Sequence, residues 1–115
     1  MCACGVSSAQ NPAAPLVRIA ELEIDPAQLE AYKAALSEEI EASIRLEPGV
    51  LALYAVSLRE NPNQIRIFET YANRGAYESH LKTPHFLKNK TGTEHMIKAL
   101  KLLETDPIRL GAKPK

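Results

Sequence analysis

The hydrophobic pattern changes period along the chain, and each change marks an element. From Leu16 to Ile24 the residues alternate: Val17, Ile19 and Glu21 fall on one face, with Arg18, Ala20, Leu22 and Ile24 on the other, which predicts a first strand. Asp25-Pro26-Ala27-Gln28 predicts a helix start, with Asp25 as N-cap, Pro26 in the first helical position and Gln28 placed to complete a capping box. Leu29, Tyr32, Leu36, Ile40 and Ser43 or Ile44 then recur at helical spacing and form a stripe for packing on a sheet. Glu30, Lys33, Glu38, Glu39 and Glu41 are assigned to water on the other side. Pro48 forbids continuation and Gly49 allows a turn, so the helix ends at Glu47-Pro48-Gly49. Val50 to Leu58 predicts a second strand that is largely apolar on both faces: Val50, Ala52, Tyr54, Val56 and Leu58 against Leu51, Leu53, Ala55 and Ser57. Asn61-Pro62-Asn63 reads as the hairpin turn that follows.

The stretch Ile65–Phe86 organises the second half. Ile65, Ile67, Glu69 and Tyr71 share one strand face, with Arg66, Phe68 and Thr70 on the other. Asn73 reads as an N-cap for a short helix whose Ala76, Tyr77, His80 and Leu81 lie on one face. Thr83-Pro84 starts a further helical segment, with His85 and Phe86 in its first turn. Gly92 and Thr93 weaken that segment and predict a break between Asn89 and Thr93, with a further turn at Glu94–Lys98. Ala99 to Glu104 reads as the last strand and Thr105–Lys115 as a tail. The expected organisation is a disordered leader over 1–15, one domain over 16–104, and the tail over 105–115.

The order strand-helix-strand, strand-helix-strand is the split βαβ of the ferredoxin-like class: an α+β fold with one antiparallel sheet and its helices on one face. The bare sheet face, rich in Leu, Val, Ile and Tyr, predicts a homodimer with two sheets facing each other. A chain of 115 residues suffices for one domain, and 14 basic against 14 acidic residues argue against a duplex-binding footprint, which normally needs a basic face. No apolar run reaches the length of a transmembrane span. Cys2 and Cys4, with one residue between them and the histidines far downstream, make a poor zinc site. A cysteine ahead of a small-residue linker is also what a processed lipoprotein carries, so Cys2 is a candidate lipid anchor. A cytoplasmic location is the first expectation, and a periplasmic or lipoprotein one the alternative.

Two residues stand out chemically. Glu69 is a carboxylate on the face of Ile65 and Ile67; either that strand end is open to water or paired with an arginine, or Glu69 is a polar group in a pocket. His80 sits on the apolar face of a short helix, as a hydrogen-bonded core residue or as a reactive imidazole.

Glu47-Pro48-Gly49-Val50, Phe68-Glu69-Thr70-Tyr71, Ala76-Tyr77-Glu78-Ser79-His80-Leu81 and Thr83-Pro84-His85-Phe86 resemble the antibiotic biosynthesis monooxygenase family, within it the small quinol monooxygenase-like proteins. The resemblance runs from about Leu16 to Leu103 and implies a dimeric α/β barrel with a pocket between sheet and helices. It also implies oxidation of a quinol or other electron-rich phenol by molecular oxygen without metal or flavin, that is, no cofactor. It does not extend to the haem-degrading branch, which has a tryptophan near the position of Tyr71 and an asparagine on the first strand. Under the resemblance His80 is the base or hydrogen-bond donor, since an imidazole titrates near neutrality. Glu69, Tyr71 and Tyr54 would orient ring oxygens, Phe68 and Phe86 line an apolar wall, and His85 guards the mouth. Two other readings remain open. One is a non-catalytic dimeric module that binds a small ligand. The other is an isomerase or lyase for a small carbonyl compound, with Arg18, Arg66 or Arg74 as its cationic anchor.

Overall fold

A computed structural model describes residues 13–114; Cys2, Cys4 and nearly all of the expected leader lie outside them. Strand β1 (Leu16–Ile24) leads through a 3-10 turn (Pro26–Gln28) into helix α1 (Leu29–Leu46). Strands β2 (Val50–Leu58) and β3 (Asn61–Tyr71) form a hairpin, followed by α2 (Arg74–His80), α3 (Pro84–Thr93), a 3-10 turn (Glu94–Met96) and β4 (Ile97–Glu104). The sheet order is β2-β3-β1-β4 with every neighbouring pair antiparallel, the ferredoxin-like arrangement. Among the described residues no helix is long and apolar enough to cross a membrane.

The local signals act as their chemistry requires. Asp25 Oδ1 accepts from Ala27 N at 3.0 Å, Asn73 Oδ1 from Ala76 N at 2.8 Å, and Thr83 Oγ1 from Phe86 N at 3.2 Å, each satisfying an amide that the helix cannot. Along β1 every second side chain from Leu16 to Ile24 is buried, and Ile65, Ile67 and Tyr71 join them from β3. Tyr32 and Leu36 of α1 close over Ala20, Leu22, Ile24, Ile65 and Ile67; each such large apolar side chain contributes about 1.5–3 kcal/mol by leaving water. A second cluster joins Leu16, Val50, Leu53 and Tyr71 beneath Ala76 and Tyr77 of α2.

Four expectations change. Glu39 faces inward, buried beside Tyr32, Leu36 and Ser43 on the packed side of α1. The hairpin turns at Arg59-Glu60, and Asn61-Pro62-Asn63 already belongs to β3. Helix α3 runs unbroken through Gly92 to Thr93, with Thr91 Oγ1 donating to Leu87 O and Thr93 Oγ1 to Asn89 O, and β4 begins at Ile97. Finally, the β2–β3 register slips between Val50 and Ala52, a bulge that puts Val50 and Leu53 on the same inner side. Unbroken alternation had placed these two on opposite faces.

Candidate functional site

Between the inner face of the sheet and the three helices lies a cavity of about 700 Å³. Ala20, Leu22, Leu53 and Ile67 form its floor, and Leu36, Ile40, Tyr77 and Phe86 its helical walls. Exposed residues of α3 and β4, among them Leu87, Lys90, Leu100 and Leu102, mark its rim. Into this apolar space the fold directs a few polar groups: Arg18 from β1, Glu69 and Tyr71 from β3, Glu39 and Tyr32 from α1, and His80 from the end of α2.

His80 is 4% exposed. Its ring packs edge-on to Phe86, centroids 5.1 Å apart, and tilted to Tyr71 at 5.5 Å. His80 Nδ1 lies 2.9 Å from Glu47 Oε2, and His85 Nε2 approaches the same oxygen at 2.5 Å. Burial would raise the Glu47 carboxyl, but the hydrogen bonds from His85 and His80 outweigh it and hold the group below the ordinary carboxylate range. An ionised carboxylate only accepts, so both ring nitrogens facing it carry hydrogen. In the neutral imidazole this leaves His80 Nε2 as the acceptor. That nitrogen faces Glu39 Oε2 across 3.5 Å, too far for a good hydrogen bond, and Glu39 itself lines the cavity.

The other carboxylate is held differently. Tyr71, 1% exposed, donates its hydroxyl to Glu69 Oε1 at 2.9 Å. Burial pushes Glu69 up, against the pull of the Tyr71 hydrogen bond, Arg18 and His80. Burial and the Glu69 charge push the Tyr71 hydroxyl up in turn, and Tyr32, buried near Glu39 and Glu69, is pushed up to about 12, so both phenols keep their protons. The site thus combines a carboxylate held below its ordinary range (Glu47) with one pushed above it (Glu69).

Glu47, His80 and His85 are also the described group able to offer one ligand atom each to a metal ion, all within 4.8 Å of one another. Their spacing is that of hydrogen bonds. Tetrahedral coordination at about 2.0–2.1 Å would hold the three donor atoms about 3.4 Å apart, so an ion would require the carboxylate to withdraw.

Of the residues singled out in the sequence, the fold brings His80, Glu69, Tyr71 and Phe86 together on the cavity. His85 stands behind Glu47 and touches the site through it. Tyr54 and Phe68 do not join them: they are register partners on the outer sheet face, 67% and 44% exposed, because the residues of β3 that point inward are the odd-numbered ones. Of the three arginines considered as anchors Arg18 alone lines the cavity; Arg66 pairs with Glu21, and Arg74 with Glu104. Glu47 and Glu39 are the site residues that sequence reasoning missed.

Residues 15–90 match the model of the antibiotic biosynthesis monooxygenase family. No curated protein matches the chain. Among solved structures, a candidate antibiotic biosynthesis monooxygenase of Bacteroides thetaiotaomicron is 51% identical, covers 89% of this chain and 97% of its own, and superposes with a TM-score of 0.84. A candidate monooxygenase of Lactobacillus acidophilus is 29% identical over 83% of this chain and 45% of its own, with a TM-score of 0.79. A candidate antibiotic biosynthesis monooxygenase of Nitrosomonas europaea, 23% identical over 84% of this chain and 92% of its own, shares the fold at a TM-score of 0.78. With the family model spanning β1 to most of α3 and one relative identical at about half the aligned positions, the chain belongs to the antibiotic biosynthesis monooxygenase family.

Proposed function

We propose that the protein is a cofactor-independent monooxygenase that oxidises a quinol or other electron-rich phenol with molecular oxygen, and that His80 is its base. One observation carries this reading: a buried imidazole, tied through Nδ1 to an ionised carboxylate, lines an apolar cavity of about 700 Å³, and among the described residues its other nitrogen has only Glu39 Oε2, 3.5 Å away, as a neighbouring polar group. A bound phenol loses its proton to His80 Nε2, and the imidazolium that forms is stabilised by Glu47. The electron-rich phenolate reduces oxygen directly. One oxygen atom enters the ring and the other leaves as water, so a hydroquinone gives a hydroxyquinone and the substrate supplies all four electrons. Tyr71 and Glu69 orient the ring oxygens, and Phe86 packs against the ring. Tyr54, Val56 and Phe68 leave an exposed apolar patch on the outer sheet face, which supports a homodimer closed sheet against sheet. Oxygen uptake with a panel of hydroquinones, for wild type and His80→Ala, tests the reading. Uptake that falls at least about 100-fold in the variant, with fold and oligomeric state unchanged, is expected. No uptake with any quinol, or full activity in the variant, overturns it.

A further inference from the structure

Arg18 is the buried cation of the cavity. Its side chain is 9% exposed, yet among the described residues no hydrogen bond reaches its guanidinium. Its one ion pair, Nη1 to Glu104 Oε2, is 3.5 Å long. The Glu104 side chain is 64% exposed and is shared with Arg74 at 3.6 Å, so it compensates little. Arg66, on the outer face, shows what a satisfied arginine looks like in this fold: it donates to Gln64 Oε1 at 3.2 Å and Ile65 O at 3.1 Å and pairs with Glu21.

A guanidinium has five N–H donors in a rigid plane, and in a side chain this enclosed they meet little water, so a ligand in the cavity would find donors to spare. Tyr77 covers one face of that plane, with Cζ 4.6 Å from the ring centroid. Stacking fixes the orientation of the fork but leaves its N–H edges without an acceptor, the geometry that suits a planar anion. Glu69 is the register partner of Arg18 on β3, yet among the described residues no hydrogen bond or ion pair joins the two, and the Glu69 carboxylate accepts from Tyr71 instead. At the rim stand Lys90 and Lys98 against a single acid, Glu94, a balance that favours entry of anions. Arg18 and His80 are linked by ring contacts along the same cavity: Arg18 stacks on Tyr77, Tyr77 packs on Tyr71 at 5.2 Å, and Tyr71 packs on His80 at 5.5 Å.

We infer that Arg18 is an anion subsite and that the substrate is a phenol or quinol bearing a carboxylate or similar planar anionic group, which the arginine fork grips while the reacting ring lies against His80. The inference rests on the cavity being the substrate site, and it names the substrate class.

Anaerobic calorimetric titration with a dihydroxybenzoate and with its uncharged methyl ester tests it, on wild type, Arg18→Gln, Arg18→Lys and Arg66→Gln. Wild type and Arg66→Gln should bind the acid about tenfold or more tighter than the ester. Arg18→Gln should lose that preference while binding the ester unchanged, and Arg18→Lys, which keeps charge but not the fork, should restore part of it. Equal affinity for acid and ester in wild type, a preference that survives in Arg18→Gln, or no binding of either ligand overturns the inference. If Arg18→Gln does not fold, Arg18→Lys still decides, because it must weaken the acid several-fold relative to the ester. Binding is read without turnover, so the two ideas fail separately. Oxygen uptake on neutral quinols without an acid preference removes only the anion subsite; an acid preference without oxygen uptake removes only the monooxygenase reading.

Discussion

Glu47→Gln is the perturbation that the geometry constrains most tightly. One carboxylate oxygen accepts from two imidazoles, at 2.9 and 2.5 Å, with the Glu47 side chain 12% exposed. Removing a hydrogen bond to a charged group costs about 1.5–3 kcal/mol, and glutamine retains one acceptor oxygen but loses the charge. The net cost is therefore about 2 kcal/mol, which lowers Tm by about 10 °C in a domain of this size. The pH dependence has a definite sign. The folded pKa of Glu47 is depressed, so its stabilisation is present above the unfolded value of about 4.3 and is lost as pH falls through the folded one. The gap between wild type and Glu47→Gln should be full at pH 7 and narrow toward pH 4. Thermal unfolding at both pH values measures it, and nitrogen NMR of the imidazoles reports the tautomer. Wild type should hold hydrogen on Nδ1 of His80, and the variant should show a mixture, with oxygen uptake reduced about 100-fold. A Tm unchanged at pH 7, or a gap constant with pH, would refute the claim that an ionised Glu47 fixes the imidazole.

Tyr71→Phe leaves Glu69 buried without its 2.9 Å donor and costs about 1–3 kcal/mol. The Tyr71 hydroxyl stabilises the ionised form of Glu69 against the burial that raises its pKa, so the loss should be larger at pH 8, where more of Glu69 is ionised, than at pH 5 in thermal unfolding. Gly49→Ala would place a Cβ 2.5 Å from Ala76 Cβ, so α2 must shift and oxygen uptake must fall; adding Ala76→Gly should restore both Tm and rate, and no rescue would refute the steric account. Phe68→Asp, on the exposed outer face, should give monomers by analytical ultracentrifugation, whereas an unchanged mass would remove the sheet-to-sheet dimer. Dialysis against a chelator should leave Tm unchanged, since Glu47, His80 and His85 sit at hydrogen-bonding distances; a fall reversed by zinc would assign them to an ion instead.

What could be read from the chain was what is encoded locally. Asn73 and Thr83 cap α2 and α3 as expected from partners three positions away, whereas Asp25 caps the 3-10 turn Pro26–Gln28 and α1 follows with Gln28 at its N-cap and no side-chain cap bond in place of the expected capping box. Alternation from Leu16 to Ile24 and from Ile65 to Tyr71 sorted the residues into the two faces that the structure shows, and put Glu69 on the face of Ile65 and Ile67. The second strand was different: Val50-Leu51-Ala52-Leu53 is apolar throughout, so nothing in its pattern specifies register, and a bulge that reverses the faces leaves no trace in the sequence. Placing Tyr54 and Phe68 at the pocket failed for a related reason, since an aromatic residue suits either side of a sheet. Glu39 shows polarity misread as exposure. Tyr32, Leu36, Glu39 and Ser43 keep helical spacing, so position put Glu39 inside while its charge suggested water.

Glu47 is the more instructive omission, because its local role was recognised and concealed the other one. Glu47-Pro48-Gly49 was legible as a helix stop, yet the partners of its carboxylate lie 33 and 38 residues onward. Topology supplies the missing link. In a split βαβ the end of α1 and the start of β2 lie at the same end of the sheet as the end of β3 and the start of α2, and Ala72 N donates to Gly49 O at 2.8 Å there. The turn that breaks the first helix is therefore the surface on which α2 is seated, and Gly49 lets Ala76 approach it closely. A residue at the last turn of α1 must then face the residues that α2 and α3 present at their junction, which are His80 and His85. The stop signal and the hydrogen-bond acceptor are one structural decision: where the first helix ends determines which side chain reaches the imidazole.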